Sequence, residues 1–217
     1  MTLSERLHAL GVVPVVVIDD PRRAVPLARA LVAAGLPCME VTLRTPAALA
    51  AIASIAESVP EVLLGAGSVL HAEQVDRAVD AGAAFIVSPG TDSDVVARAR
   101  EREVEPIPGI ATATEVQRAL RAGVKTLKFF PAGGRAGLGA LRSLAAVFDE
   151  VRFMPTGGIG AAELPVYIRE PGVVAVGGSW MVSRRTIDAG DFATIRRLTE
   201  AAVAAVGHAR PAGAAPP

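Results

Sequence analysis

The sequence is poor in lysine and cysteine. Only two of its 22 basic residues, Lys125 and Lys128, are lysines, and the rest are arginines. Cys38 is the single cysteine, so no disulfide can form within the chain, which fits a reducing compartment. Aromatic residues make up 4% of the chain, too few for a platform on which nucleic-acid bases stack. The formal net charge is zero and no basic cluster stands out, which argues against nucleic acid and acidic membranes as partners.

The chain also lacks the features of an exported or membrane protein. No apolar stretch reaches the roughly 18 residues that predict a membrane span, and the first residues lack the basic region and apolar core of a signal peptide. Hydrophobic residues make up 51% of the chain and charged residues 20%, which predicts a large core. We therefore expect a soluble, cytoplasmic protein.

Short β-branched runs alternate with alanine-rich helical segments along the sequence. Strands are predicted at Val12–Ile18, Cys38–Leu43, Val62–Leu64, Ala84–Val87, Val104–Pro106, Thr126–Phe130, Val151–Met154 and Val173–Val176. Helical patterns between them include Pro21–Ala34, Ala47–Ser58, Ala72–Asp80, Asp92–Arg102 and Ala113–Arg121. Eight strands that alternate with helices in 217 residues favour an α/β fold, a closed (β/α)₈ TIM barrel, over an open doubly wound sheet.

No shift in composition marks a second domain. Residues 1–207 are therefore predicted to form one barrel, with the last helix running from Phe192 to Val206. Residues 208–217 are rich in alanine, proline and glycine, and we expect a flexible C-terminal tail there.

Lys128 lies in an apolar strand pattern, where alternation places it on one face with Thr126 and Phe130. Burial removes hydration and disfavours the charged ammonium form. A neutral amine is a nucleophile that arginine cannot replace, because guanidinium does not deprotonate in proteins. The pattern therefore favours an imine-forming enzyme. The alternative is a lysine that extends from the strand end to solvent.

The second predicted strand places Glu40, Thr42 and Arg44 on one face. The active site of a (β/α)₈ barrel lies at the carboxyl ends of its strands, and a buried glutamate needs a partner. Lys128 is the natural partner for Glu40. The alternative is a salt bridge from Glu40 to Arg44 on a solvated edge.

Strands seven and eight end in glycine-rich turns, at residues 155–159 and 176–180. The loops after these two strands frequently bind phosphate through backbone N–H groups, so a phosphorylated substrate is predicted. The three histidines lie far apart and no metal cluster is visible. Metal is not needed if an imine serves as the electron sink. Cys38 and Trp180 are expected to be packing residues.

Together these residues resemble the family of 2-keto-3-deoxy-6-phosphogluconate (KDPG) and 4-hydroxy-2-oxoglutarate (KHG) aldolases. The matching strings are residues 40–45 (EVTLRT), 65–70 (GAGSVL), 88–90 (SPG), 108–109 (PG), 128–132 (KFFPA), 155–159 (PTGGI) and 177–180 (GGSW). They occur in family order from about Val12 to Ala205, which is nearly the whole chain.

The resemblance implies a metal-independent, cofactor-free aldolase that forms a Schiff base, is usually a homotrimer, and cleaves the phosphorylated 2-keto acid KDPG to pyruvate and glyceraldehyde 3-phosphate. It implies that Lys128 is the Schiff-base lysine, that Glu40 is the general acid and base, and that Arg44 holds the substrate carboxylate. Further implied substrate-binding residues are Ser68 and Thr156 at the pyruvate half, Pro89 and Phe130 as pocket walls, and Gly157, Gly158, Gly178 and Ser179 at the phosphate.

The chain departs from the family pattern at two positions. Ser68 stands where the family commonly has threonine, and Gly133 stands where it commonly has glutamate. The first change removes a methyl group beside pyruvate, and the second concerns the aldehyde and phosphate end of the substrate.

Three alternatives remain open from the sequence. The substrate could be 4-hydroxy-2-oxoglutarate or the galactonate epimer of KDPG. Lys128 could instead be the acid or base of a phosphate-binding barrel isomerase or epimerase. Finally, the chain could be a non-catalytic barrel that only binds sugar phosphates, although the intact set of Glu40, Arg44 and Lys128 argues against this.

Overall fold

The computed structural model describes residues 1–210, except for the side chain of residue 135. Its strands are β1 (Val12–Val16), β2 (Cys38–Thr42), β3 (Leu63–Gly67), β4 (Phe85–Val87), β5 (Glu105–Ile107), β6 (Gly109–Ile110), β7 (Thr126–Phe129), β8 (Arg152–Pro155) and β9 (Val176–Gly178). Its α-helices are α1 (Leu3–Leu10), α2 (Ala24–Ala33), α3 (Ala48–Ser58), α4 (Ala72–Asp80), α5 (Ser93–Glu101), α6 (Ala113–Arg121), α7 (Gly134–Ala145), α8 (Leu164–Tyr167), α9 (Arg184–Asp188) and α10 (Phe192–Ala209), and a 3₁₀ turn at Pro21–Arg23 precedes α2.

The strands are all parallel and close into a barrel. One sheet runs in the order β5-β4-β3-β2-β1-β9 and a second in the order β6-β7-β8. The two are joined because β5 and β6 are consecutive pieces of one strand, interrupted at Pro108, and because β8 bridges to the β9 segment at Phe153–Val173 and Thr156–Gly177. Counting β5 and β6 together gives the eight strands of a (β/α)₈ barrel, as predicted.

The barrel interior changes character from its amino end to its carboxyl end. Near the amino end, Leu7 of α1 packs against inward side chains of the strands, a buried cluster that includes Val13, Cys38, Leu63 and Phe85. Two residues beyond Cys38, the inward position of β2 holds Glu40, and the corresponding position of β7 holds Lys128. Intervening residues face outward and form the apolar layer against the helices, as period-two alternation requires.

The C-terminal segment differs from the prediction. α10 continues three residues past Val206, to Ala209, and the Arg210 side chain donates hydrogen bonds to the backbone oxygens of His8 at 2.7 Å and Val173 at 2.5 Å. These bonds attach residue 210 to the amino end of the barrel. The remainder of the predicted tail, 211–217, lies outside the described residues.

The bounds of all eight predicted strands also differ from the observed ones, most clearly in the fifth and the eighth. The predicted fifth strand, Val104–Pro106, continues past Pro108 as β6. The last strand, β9, begins at Val176, where the predicted eighth strand was expected to end. Val173 forms only an isolated bridge to Phe153. In residues 1–210, no helix has both the length and the apolar character needed to cross a membrane.

Candidate active site

A cavity of about 740 Å³ opens at the carboxyl end of the barrel. It collects every residue predicted for the site, namely Glu40, Arg44, Ser68, Pro89, Lys128, Phe130, Thr156, Gly157, Gly158, Gly178 and Ser179. These residues come from strand ends and loops that are far apart in sequence. They converge because parallel strands in a closed barrel all end at the same face.

Lys128 and Glu40 lie across the barrel from each other, on β7 and β2. The Lys128 Nζ donates a hydrogen bond to Glu40 Oε1 at 3.2 Å, with Lys128 6% exposed and Glu40 fully buried. The Phe130 ring covers the amine, its centroid lying 5.5 Å from Nζ. Lys128 therefore does not extend to bulk solvent, and Glu40 pairs with Lys128 rather than with Arg44. Both alternative interpretations of these residues are wrong.

The second carboxylate oxygen of Glu40 has a different environment. Oε2 is buried, and none of the described residues donates a hydrogen bond to it. A buried carboxylate oxygen without a donor is unfavourable unless something polar reaches it. Glu40 lines the cavity, so a substrate hydroxyl or a water that enters the cavity can supply that donor.

Gly67 provides the space that the Glu40 carboxylate occupies. A Cβ atom built on Gly67 would lie 2.1 Å from Glu40 Oε1, well inside van der Waals contact. Gly67 ends β3 and pairs in register with Thr42 of β2, so the two backbones cannot separate to accommodate a side chain. The Thr42 hydroxyl in turn donates to the Val16 carbonyl at 2.9 Å, which links β2 to β1. A glycine is therefore required beside the acid.

The side chains at the rim of the cavity are more exposed. Arg44 lies in the turn after β2, and its guanidinium has no hydrogen bond or ion pair with the described residues. Its five N–H donors are thus available to a planar anion such as a carboxylate. Ser68 follows β3 with φ of 56°, a left-handed conformation that is uncommon outside glycine.

The two glycine-rich turns are adjacent at one side of the rim. Gly157 and Gly158 have φ of 90° and 76°, which residues with a side chain rarely adopt. The bridge between Thr156 and Gly177 places the turn after β8 beside the turn after β9. Backbone N–H groups in such turns can close on the oxygens of an anion.

The loop after β7 packs directly on the first of these turns. The Ala132 N–H donates to the carbonyl oxygens of Thr156 at 2.9 Å and Gly157 at 3.1 Å, and the buried Tyr167 hydroxyl donates to the Ala132 carbonyl. A Cβ atom on Gly133 would lie 2.8 Å from the Gly158 backbone. The departure from the family pattern at Gly133 therefore lies at a tight contact between two backbones.

Several residues of the cavity were not predicted from the sequence. Trp180, predicted only to pack, is partly buried and also lines the cavity, as do Ser183 and Arg184. Arg184 pairs with Asp19, which is 165 positions earlier, and no local pattern could have indicated that contact. Cys38 does not line the cavity, and burial raises the pKa of its thiol. Within residues 1–210, no three His, Cys, Asp or Glu side chains are grouped as a metal site.

Comparisons with known proteins give a consistent result. The family model described as KDPG and KHG aldolase matches residues 3–198. The 2-dehydro-3-deoxy-phosphogluconate aldolase of Treponema pallidum is 47% identical over 207 residues, which cover 95% of this chain and 99% of that protein.

Two solved structures are similar across nearly their whole length. The KDPG aldolase of Legionella pneumophila, with pyruvate captured as a covalent carbinolamine intermediate, has a TM-score of 0.89 and 38% identity, covering 93% of this chain and 98% of that one. The corresponding aldolase of Zymomonas mobilis, with 3-phosphoglycerate, has a TM-score of 0.88 and 43% identity, covering 98% of this chain and 99% of that one.

Proposed function

Because this chain belongs to the KDPG and KHG aldolase family, we propose that it is a Schiff-base aldolase that cleaves KDPG to pyruvate and glyceraldehyde 3-phosphate. It is a lyase that acts on the carbon–carbon bond of a 2-keto acid. The observation that carries the proposal is the buried contact between Lys128 Nζ and Glu40 Oε1, 3.2 Å apart, in a cavity whose rim presents two glycine-rich turns.

Lys128 forms the covalent bond to the substrate. A neutral Nζ adds to the C2 carbonyl carbon, and loss of water from the resulting carbinolamine leaves a protonated imine. Glu40 lies within hydrogen-bond distance and can accept the proton that Lys128 must lose before it attacks. The imine withdraws electrons, so the proposed chemistry needs neither a metal nor a cofactor.

Glu40 is the acid and base of the cleavage step. It removes the proton from the C4 hydroxyl, directly or through a water, and the C3–C4 bond breaks as the electron pair moves into the imine. Glyceraldehyde 3-phosphate leaves, and the enamine of pyruvate remains on Lys128. Glu40 then returns a proton to C3, and water hydrolyses the imine to release pyruvate. Glu40 Oε2 accepts no hydrogen bond from the described residues, which supports this role, because an entering hydroxyl or water can donate to it.

The other cavity residues hold the two ends of the substrate. Arg44, whose guanidinium has no hydrogen bond or ion pair with the described residues, binds the carboxylate. Pyruvate lies against the hydroxyls of Ser68 and Thr156, with Pro89 and Phe130 as walls. The phosphate is bound by N–H groups of the two rim turns, at Gly157, Gly158, Gly178 and Ser179. The Zymomonas relative, solved with 3-phosphoglycerate, supports a phosphorylated ligand.

We further propose that the whole catalytic unit is one barrel domain, that it assembles as a homotrimer and that it acts in the cytoplasm. The high hydrophobic content of the chain, 51%, suits contacts between subunits. Light scattering during gel filtration measures the molar mass directly. A mass of one or two chains would overturn the trimer.

The test of the reaction is reductive trapping. Wild-type protein is incubated with pyruvate and borohydride, digested, and examined by mass spectrometry. We expect the mass increase of a reduced pyruvate imine on Lys128, and no adduct at Lys125, which is exposed and pairs with Glu150 at 2.7 Å. An isomerase or epimerase gives no trapped adduct, so a protein that stays unmodified rejects the proposal.

The second candidate substrate is 4-hydroxy-2-oxoglutarate, which the matching family model also names. It shares the 2-keto acid end with KDPG but carries a carboxylate instead of a phosphate at the other end. Comparison of kcat/KM for the two compounds and for the galactonate epimer identifies the preferred substrate. We expect KDPG to be preferred, because the glycine-rich turns offer backbone N–H groups suited to a phosphate.

A further inference from the structure

Arg184 lines the active-site cavity but has no role in the mechanism above. Among the described residues, four charged side chains line that cavity, namely Glu40, Arg44, Lys128 and Arg184. Glu40 and Lys128 are bonded to each other, and Arg44 is assigned to the substrate carboxylate. Of these four side chains, Arg184 is therefore the one to which the mechanism above gives no role.

Arg184 is held in place by a two-point contact with Asp19. Its Nη2 donates to Asp19 Oδ1 at 2.5 Å, and its Nε donates to Oδ2. A guanidinium has five N–H donors. This contact uses two of them, and both N–H groups of Nη1 remain without a partner among the described residues. Asp19 thus fixes the plane of the guanidinium and leaves part of its donor set available.

The position of Arg184 along the chain relates it to one particular end of the cavity. It begins α9, five residues after Ser179, and the intervening segment turns back on itself through a hydrogen bond from Val182 N–H to the Ser179 carbonyl at 3.1 Å. Val182 and Ser183 also line the cavity. Arg184 therefore lies where the loop that follows Gly178 and contains Ser179 enters α9, at the rim, whereas Lys128 and Glu40 lie on the strands below.

We propose that Arg184, oriented by Asp19, binds the phosphate of the acceptor aldehyde together with the glycine-rich turns and so strengthens the preference of this enzyme for a phosphorylated substrate. The inference rests on the proposed function. An arginine in a fixed plane loses little side-chain freedom when an anion binds, which favours its use for phosphate. The Arg184 side chain is 61% exposed and that of Asp19 33% exposed. Solvent screens such a contact, so we expect a contribution of about tenfold to kcat/KM rather than a requirement for activity.

The experiment compares R184Q and R184K with the matched control R185Q. Arg185 is the neighbouring exposed arginine and does not line the cavity, so R185Q removes the same charge one residue away. Each protein is assayed on KDPG and on the same 2-keto acid without its phosphate. R184Q is expected to lose about tenfold in kcat/KM on KDPG, mainly through KM, and to change less than twofold on the unphosphorylated compound. R184K retains the positive charge but not the planar guanidinium with its paired N–H donors, so its kcat/KM on KDPG should fall less than that of R184Q. R185Q should have the kcat/KM of the wild type on both substrates.

Three results would overturn the proposal. Equal losses of kcat/KM by R184Q on both substrates would show that the ion pair with Asp19 only stabilises the barrel where β1 pairs with β9. An equal loss of kcat/KM in R185Q would show that the effect comes from the positive charge of the surface in general. Wild-type kcat/KM of R184Q on both substrates would show that Arg184 does not bind the phosphate. Borohydride trapping of pyruvate on Lys128 is measured in every variant. It tests the proposed function separately, because pyruvate carries no phosphate and its trapping is expected to be unchanged by R184Q.

Discussion

Strand β7 carries two polar side chains on its inward face, two residues apart, and each faces a glutamate. Near the amino end of the barrel, the Thr126 hydroxyl donates to Glu105 Oε1 at 3.3 Å. Near the carboxyl end, Lys128 Nζ donates to Glu40 Oε1 at 3.2 Å. The distances are nearly equal, but Thr126 offers a neutral hydroxyl and Lys128 an amine that can carry charge or form a covalent bond.

The surroundings of the two glutamates differ as well. Glu40 is fully buried beside a glycine and lines the active-site cavity. Glu105 is partly exposed at the start of β5, where burial raises the pKa of its carboxyl group and the Thr126 hydrogen bond opposes that rise. Alternation along β7 therefore places a reactive pair, Lys128 with Glu40, at one end of the barrel and an unreactive pair, Thr126 with Glu105, at the other. The two glutamates differ in the side chain that they contact and in whether they line the active-site cavity.

The largest effect is expected when the covalent group at the carboxyl end is removed. Lys128→Arg keeps a positive charge next to Glu40 but cannot form an imine, so kcat should fall by about 10⁴-fold or more. Circular dichroism and thermal melting should remain close to wild type, because a cation still compensates the buried carboxylate. Lys125→Arg, on the outward side of the same segment, is the control and should retain full activity. Substantial turnover by Lys128→Arg would exclude the Schiff base.

The next effect separates the acid–base step from covalent bond formation. Glu40→Gln preserves the shape of the side chain and removes its ability to take a proton. Cleavage of KDPG should fall by about 10²–10⁴-fold, the usual contribution of a positioned acid or base. Some imine should still form, so pyruvate and borohydride should continue to label Lys128. Unchanged cleavage rates would rule out Glu40 as the acid and base.

Gly67→Ala tests whether the space beside Glu40 matters in itself. The added methyl group overlaps Oε1 and should displace the carboxylate from the amine, and a misplacement of about 1 Å can cost on the order of 10²-fold in kcat. The control is Gly207→Ala in α10, where a Cβ atom meets nothing within 4 Å. That helical substitution should stabilise the protein by up to about 1 kcal/mol and leave kcat unchanged. If Gly67→Ala is folded and fully active, the carboxylate tolerates displacement and a glycine is not required beside Glu40.

The reactive end of the barrel is the part that the sequence indicates best. Lys128 stands out because it is one of only two lysines among 22 basic residues, and Glu40 stands out because a strand rarely buries an acid. The paired glycine turns mark the last two strand ends. These signals are local, so alternation along β2 and β7 was enough to predict which side chains face the interior. Their convergence in one cavity then follows from barrel closure.

Other features depend on contacts that a local pattern does not contain. The fifth strand continues as β6 because Pro108 lacks only an N–H donor: its carbonyl still accepts from the Lys128 N–H at 2.9 Å, and β6 then pairs with β7. The last helix runs to Ala209 because Arg210 finds carbonyl oxygens at the amino end of the barrel. The pairing of Arg184 with Asp19 joins the first and last strand loops, and neither residue belongs to a recognisable motif. Each of these features required the tertiary structure.

The smallest expected effect concerns Glu105, the glutamate at the amino end, which has no role in the proposed reaction. A carboxyl group whose pKa is raised by burial favours the folded state when protonated. Glu105 should therefore lower stability at pH 7 relative to a neutral side chain, and the difference should disappear as the pH falls below about 4. Glu105→Gln keeps an acceptor for the Thr126 hydroxyl and should raise Tm by about 2 °C at pH 7, with kcat unchanged.

Glu61→Gln, at an exposed position, is the control and should leave Tm unchanged both at pH 7 and below pH 4. A loss of activity in Glu105→Gln would mean that the amino end of the barrel contributes to catalysis, and the distinction between the two glutamates would not hold.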